Sequence, residues 1–301
     1  MPSFTDVETW RPDFSRKLHV RRFTRQQTEK VIVFSDYSAG AEGGKYDAYS
    51  YGFVTPASVV SWNSQRTKWR SKWFFDTRRM EWKSLADRIR WKALPSFLEI
   101  ATTLNGWCIT ILVDRGIGPV AVHRDDFDDG VRSGSFAARW SFKDFEQSFR
   151  KCLFLILITA EIVPTTTKLT WLTDEDQFIA GDPRRTDVLK ILTLLSNHFR
   201  GENSGTSELG DTKLDQDDRA MEDLIAMADL SAGSLLEAAN ASDLTSSQVC
   251  QLQDITDTVR ERCRLILQWR CNTGGMLRHR CVVFMQGNTG ALSIHNIIPL
   301  C

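Results

Sequence analysis

Three apolar, strand-like runs in this chain stop on carboxylates: VIVFSD at 31–36, CITILVD at 108–114 and LTWLTDED at 169–176. An ionised carboxylate at the mouth of a buried strand needs a partner, because burying it alone is prohibitively costly. Residues at the carboxyl ends of parallel strands converge on one sheet edge, where sites form. By the two-residue period of a strand, Asp36 shares a face with Phe34 and Ile32, and Asp114 with Leu112. Two such acids on adjacent central strands repel each other unless a divalent cation bridges them or one takes up a proton. Hard cations such as magnesium take oxygen ligands, so clustered carboxylates are the expected cage. The competing reading is turn chemistry, in which each aspartate hydrogen-bonds its own backbone.

Two further acids sit in helical patterns. Glu81, in RRMEWKSLADRIRW, lies beside Lys83 and reads either as a solvated helix residue or as part of a site. Asp229, in EDLIAMADLSAG, is flanked by Ala226, Met227, Ala228, Leu230 and Ala232. Its small neighbours permit close helix approach, and a carboxylate buried there without a partner is expensive. It reads as a site residue, or as a cap or buried hydrogen-bond acceptor.

Around these acids the pattern is β-β-β-α-β-α-β-α. Strands are expected at 30–37, 48–55, 58–62, 108–114 and 168–176, and a terminal hairpin from RCVVFMQ and ALSIHNI joined by GNTG. Helices are expected over 77–104, kinked or divided at Pro95, and over 141–163, 184–199, 221–239 and 246–270. Ser141 is the expected N-cap of the second of these. The result is an α/β chain with a mixed five-stranded sheet flanked by helices, and with C-terminal helical and hairpin additions. Residues 1–29 form a basic N-terminal arm. Residues 30–240 form the main domain, with an acidic loop at 201–218, and 241–301 pack on that same domain. Seven cysteines without metal-ligand spacing read as reduced thiols. The run CLFLILITA is too short to span a bilayer, and the expected setting is cytoplasmic, with no membrane partner.

The layout of these motifs resembles the ribonuclease-H-like superfamily, and more narrowly the domain-of-unknown-function family 3800. The resemblance covers most of 30–235 and rests on SDYSAG (35–40), MEWKSL (80–85), ILVD (111–114), TWLTDED (170–176) and LIAMADLSAG (224–233). The last is its most specific motif. The chain departs from the pattern at Tyr37, at an extra Ala39 and in lacking the glutamine of the last helix. The resemblance implies a two-metal phosphodiester site, loaded with Mg2+ or Mn2+, with Asp36, Glu81, Asp114 and Asp229 as ligands. Asp174 is a further strand-end acid for the metals. Lys83 would contact a phosphate or the charge developing in the transition state, unless it is an ordinary surface lysine.

Net charge is zero, but its distribution is uneven. Residues 61–92 carry ten Lys/Arg against three acids, whereas 201–261 carry fourteen acids against three bases. The basic stretch interleaves five tryptophans and two phenylalanines with its cations. Cations neutralise phosphates and aromatic faces stack on bases, although most of these aromatics read as core. Lys68, Arg70, Lys72, Arg78 and Arg79 form the expected nucleic-acid footprint. The function expected is a metal-dependent nuclease acting on DNA or RNA. The alternative is a catalytically silent module of the same fold that binds nucleic acid or a protein partner. A one-metal small-molecule hydrolase ranks last, because the five histidines show no ligand spacing.

Overall fold

A computed structural model describes residues 4–24, 29–39, 44–76, 78–120, 122–174, 178–202, 204–212, 215, 218–241, 260–272, 274–286 and 292–297. Its strands are β1 (Lys30–Ala39), β2 (Tyr46–Val54), β3 (Gly106–Asp114), β4 (Lys168–Thr173), β5 (Ser207–Asp211), β6 (Leu277–Gln286) and β7 (Leu292–Ile297). Its helices are α1 (Thr5–Leu18), α2 (Pro56–Trp73), α3 (Arg88–Ala101), α4 (Arg124–Arg132), α5 (Phe142–Ile162), α6 (Asp182–Arg200), α7 (Ala220–Ala241) and α8 (Glu261–Cys271). The strands form one mixed sheet in the order β5-β4-β1-β2-β3-β6-β7. β1, β2 and β3 pair antiparallel in sequence, β6 joins β3 in parallel, and β7 closes the edge antiparallel to β6.

The sheet therefore has seven strands rather than five. The terminal hairpin is part of the sheet, attached through β6. One expected strand is a helix: SVVSW lies inside α2. Thr55 accepts the Ser58 backbone N–H at 3.3 Å and Pro56 opens the first turn, which is strong N-terminal chemistry. The buried positions Ser58, Trp62, Arg66, Trp69 and Arg70 then follow a helical period that two adjacent valines had masked. The helix expected from 77 starts only at Arg88, where the Asp87 carboxylate caps the backbone N–H groups of Ile89 and Arg90. It continues through Pro95. β5 was not expected at all, being short and lacking an apolar alternation. The first part of the helix expected over 246–270, and the GNTG turn, lie outside the described residues.

The chain divides into two compact units. The first takes the described residues of Met1–Lys30, Ile117–Thr170 and Glu175–Leu209, and so carries α1, α4, α5 and α6. Within it, α5 buries the whole CLFLILIT run, with Ser141 Oγ accepting the Asp144 N–H at 3.1 Å as its N-cap. The second unit comprises Val31–Gly116, Trp171–Asp174 and Gly210–Cys301. There α7 lies across β2 and β3, α8 packs beside α7, and α2 packs on α3. Ala48, Leu112, Ala232, Leu235 and Ala239 belong to the core between helix and sheet. No helix among the described residues is long and apolar enough to cross a membrane, and the described cysteines are all free thiols.

A buried ion network ties α2 to the start of α7. Arg70 clasps the Asp223 carboxylate through Nε at 2.6 Å and Nη2 at 2.8 Å, and Arg66 adds Nη1 at 3.0 Å. Arg66 also reaches the Asp218 carbonyl at 2.6 Å and its carboxylate. Asp223 and Arg66 are both fully buried. Removing one partner from such a cluster strands the others without solvent. Asp223→Ala should lower stability by roughly 3–5 kcal/mol in urea denaturation, with an unchanged slope; a loss under 1 kcal/mol would mean that the arginines find other partners.

Candidate active site

Asp36 is not at the end of its strand. β1 runs on to Ala39, and Asp36 faces Ser50 of β2 in the ladder. Its side chain therefore rises from the middle of the sheet, on the face that α7 covers: directly paired residues share a face, and Cys108 on that face meets Ser231 of α7, Sγ to Oγ, at 3.4 Å. The sequence of α7 explains how close it comes. Ala226, Ala228, Ala232 and Gly233 keep the helix thin, and a Cβ on Gly233 would lie 2.2 Å from the ring of Trp82. Trp82 is thereby laid against α7, where its backbone N–H donates to Asp229 Oδ2 at 2.6 Å.

The consequence is direct contact between two acids. The carboxyls of Asp36 and Asp229 hydrogen-bond each other, and the Tyr37 backbone N–H supports Asp36. Burial, then the negative charge of Asp229, push the Asp36 carboxyl well above the usual carboxylate range. Burial also raises Asp229, against the opposing effect of the Trp82 N–H. Two carboxyls this close resist ionising together, and each raises the cost of charge on the site.

This pair lies in a cleft of about 270 Å³, also lined by Arg79, Glu81, Lys83, Asp174, Thr212 and Glu222. Glu81 stands on an irregular segment, immediately before a single 3-10 turn, Trp82–Ser84, and not within a helix. It accepts from Ser84 Oγ at 2.6 Å and pairs with Lys83 at 3.5 Å and Arg90 at 3.7 Å. Burial pulls its carboxyl upward, but Ser84 and the charges of Lys83, Arg79 and Arg90 outweigh that and hold it below its ordinary value. Asp174, just past β4, receives Arg79 Nη1 at 3.3 Å and Thr212 Oγ1 at 3.1 Å. Glu81 and Asp174, beside the Asp36–Asp229 pair, are thus each matched to a cation and a hydroxyl donor. Among the described residues, no three His, Cys, Asp or Glu side chains are grouped closely enough to hold a metal ion in this arrangement.

Asp114 does not join them. It pairs with Tyr46, four residues along β2 from Ser50. Two strand spacings of about 4.8 Å and four rises of about 3.4 Å separate its Cα from that of Asp36 by roughly 17 Å. Its carboxylate instead accepts the Gly116 N–H at 2.8 Å, which is turn chemistry. Strand order is the reason: β2 stands between β1 and β3, while β4 is the neighbour of β1. The strand-end acid that reaches the cleft is therefore Asp174. Sequence reasoning missed Glu222, although its spacing of seven from Asp229 puts both on one face of α7.

The expected phosphate footprint also divides. Arg70 is buried on Asp223 and turned away from solvent. Arg78 is paired with Asp76 at 2.9 Å and Asp87 at 3.2 Å. Arg79 points into the cleft. Lys68 and Lys72 are exposed on α2, with Lys72 Nζ 5.1 Å from the Trp73 ring centroid.

A raised carboxyl pKa destabilises the fold once the group ionises. The folded pair keeps its proton above about pH 4, where an unfolded aspartate has lost it, so stability falls as pH rises from there through the folded pKa and is level beyond. Asp36→Asn should therefore raise the melting temperature at pH 7, by about 2 °C for each kcal/mol relieved, and the gain should vanish near pH 3. Thermal denaturation across pH measures this, and a loss of stability at pH 7 would mean that the carboxylate is held by favourable contacts instead.

A scan against protein-family models finds no match to this chain, and a search of curated proteins finds none.

Proposed function

We propose that this chain is a divalent-metal-dependent phosphodiesterase acting on nucleic acid, on a ribonuclease-H-like sheet. The observation that carries the reading is the contact between Asp36 and Asp229 at the floor of a cleft that Glu81, Asp174 and Glu222 also line. The sheet order supports it. β1, which carries Asp36, stands between β4 and β2, so the acid that follows β4, Asp174, reaches the same cleft. The donor set suits Mg2+ or Mn2+, being oxygen only, with no histidine or thiolate among the described residues that line the cleft. The flanking acids carry displaceable partners: Arg79 on Asp174 and Lys83 on Glu81.

Asp36 and Asp229 would hold the metal, with Glu81 and Asp174 next to them. A bound divalent cation would lower the pKa of water and counter the charge on a phosphoryl oxygen. The chain's own residues do the rest. The Trp82 N–H fixes the orientation of Asp229, and Arg79 and Lys83 present positive charge to a phosphate. Lys68 and Lys72 add exposed positive charge on α2.

A second reading, a silent binding module, is favoured by the same ion pairs, since Arg79 and Lys83 already neutralise cleft acids. Metal titration separates the two. Mg2+ or Mn2+ should raise the melting temperature of the wild type, by the equivalent of about 2.7 kcal/mol at a hundredfold excess over Kd. Asp36→Asn and Asp229→Asn should lose both that shift and any hydrolysis of single strands, duplexes or hybrids while staying folded. A metal shift that survives both substitutions overturns the assignment.

The footprint has its own test. Replacing Lys68 and Lys72 together by Ala should make the log-log salt dependence of nucleic-acid binding shallower by up to ~1–2 units, because each neutralised phosphate releases counterions. Fold and metal shift should be unchanged. An unaltered slope would mean that these lysines are only a solvated helix face.

A further inference from the structure

The first unit contains a second cavity, unrelated to the acidic cleft. Its volume is about 450 Å³, and it lies among α4, the segment 133–136 that follows α4, α5 and α6. Water occupies about 30 Å³ per molecule in the liquid, so this space is many times larger than a packing gap. Phe136, Phe145, Phe149, Ile191 and Leu194 give it an apolar wall. A space of this size, mostly apolar with a few polar groups, is the ordinary form of a small-molecule site.

The walls are built in advance. Gly134, at φ +66°, ends α4 in the left-handed conformation that glycine tolerates, and its N–H reaches the Val131 carbonyl at 3.1 Å. The chain then doubles back, with Ser135 N donating to the Gly130 carbonyl at 3.0 Å. Phe136 closes over Gly130, where a Cβ would stand 2.7 Å from its ring, and meets Phe145 with ring centroids 4.6 Å apart. Buried Asp187 pins the next residues by accepting from Ala137 N at 2.8 Å, Ala138 N at 2.9 Å and Trp140 Nε1 at 2.9 Å. A cavity held this way costs little reorganisation on binding.

Its polar groups have one sign left over. Asp187 is matched by those three donors and by Lys190 at 3.8 Å, and Asp129 by Arg132. Asp126, half-buried in the wall, has no hydrogen-bond or ion-pair partner among the described residues. An apolar, aromatic chamber with one uncompensated carboxylate suits a ligand that is apolar at one end and cationic at the other. We propose that this cavity binds a small aromatic amine, its ring among Phe136, Phe145 and Phe149 and its ammonium on Asp126.

The probes are 2-phenylethylamine, the uncharged 2-phenylethanol and the anionic 3-phenylpropionate, titrated onto the full chain by ligand-observed NMR and thermal shift. The amine should bind about fivefold more tightly than the alcohol, the increment of a partly exposed ion pair, and the acid should bind weakest. Asp126→Asn should erase the preference for the amine while leaving the alcohol's affinity intact. Leu194→Trp, or Ile191→Phe if the first variant fails to fold, should fill the chamber and remove binding of all three. Amine binding that persists in the filled variant would assign it to the acidic cleft and overturn the proposal. So would equal affinity for amine and acid, or no binding of any probe at millimolar concentration. Asp36→Asn should leave these titrations unchanged, so the two sites stand or fall separately.

Discussion

How closely α7 lies on the sheet governs the acidic cleft. A helix of ordinary girth would hold its carboxylate clear of β1 and let solvent between the two acids. With Ala226, Ala228, Ala232 and Gly233 along it, α7 lies close to the strands. Trp82 packs against Gly233, and Asp229 comes up to Asp36. The repulsion between these acids is opposed by the apolar area that the rest of α7 buries, Leu224, Met227, Leu230 and Leu235 among it. Burying one such side chain is worth about 1.5–3 kcal/mol, so several of them can hold together a pair that would separate in water.

The basic residues divide by the same logic of burial. Those that face inward on α2 are fixed to Asp223 and serve the fold, whereas Arg79 and Lys83 stand where the chain is irregular and partly wet. The segment between α2 and α3 has little secondary structure to define it. It is held instead by guanidinium groups on its carbonyls: Arg70 Nη1 on Arg78 O at 3.4 Å, and Arg90 Nε on Arg79 O at 2.8 Å. Glu81 is thereby positioned by two helices without belonging to either.

The sequence was most legible where one local pattern had one meaning. The Ser141 cap and the long apolar run after it specify α5, and the small residues around Asp229 mark an unusual helix. It was least legible where an answer depended on which strands are neighbours. Asp114 and Asp174 look alike in sequence, each ending an apolar run, and only the strand order distinguishes the turn residue from the one in the cleft. Arg70 and Lys68 are equally basic and two residues apart. The helical phase of α2 puts one inside and one outside, and that phase was hidden by reading SVVSW as a strand. β5 carried no signal because an edge strand of five residues needs no apolar face of its own.

Asp36 stands inside a strand, with ladder partners on both sides of it in sequence, from Ile32 to Ala39. Its position is therefore set by the sheet. Eight consecutive paired positions of β1, Ile32 to Ala39, hold the acid in register with β2. The register that places Asp36 is thus independent of the chain that comes after the strand.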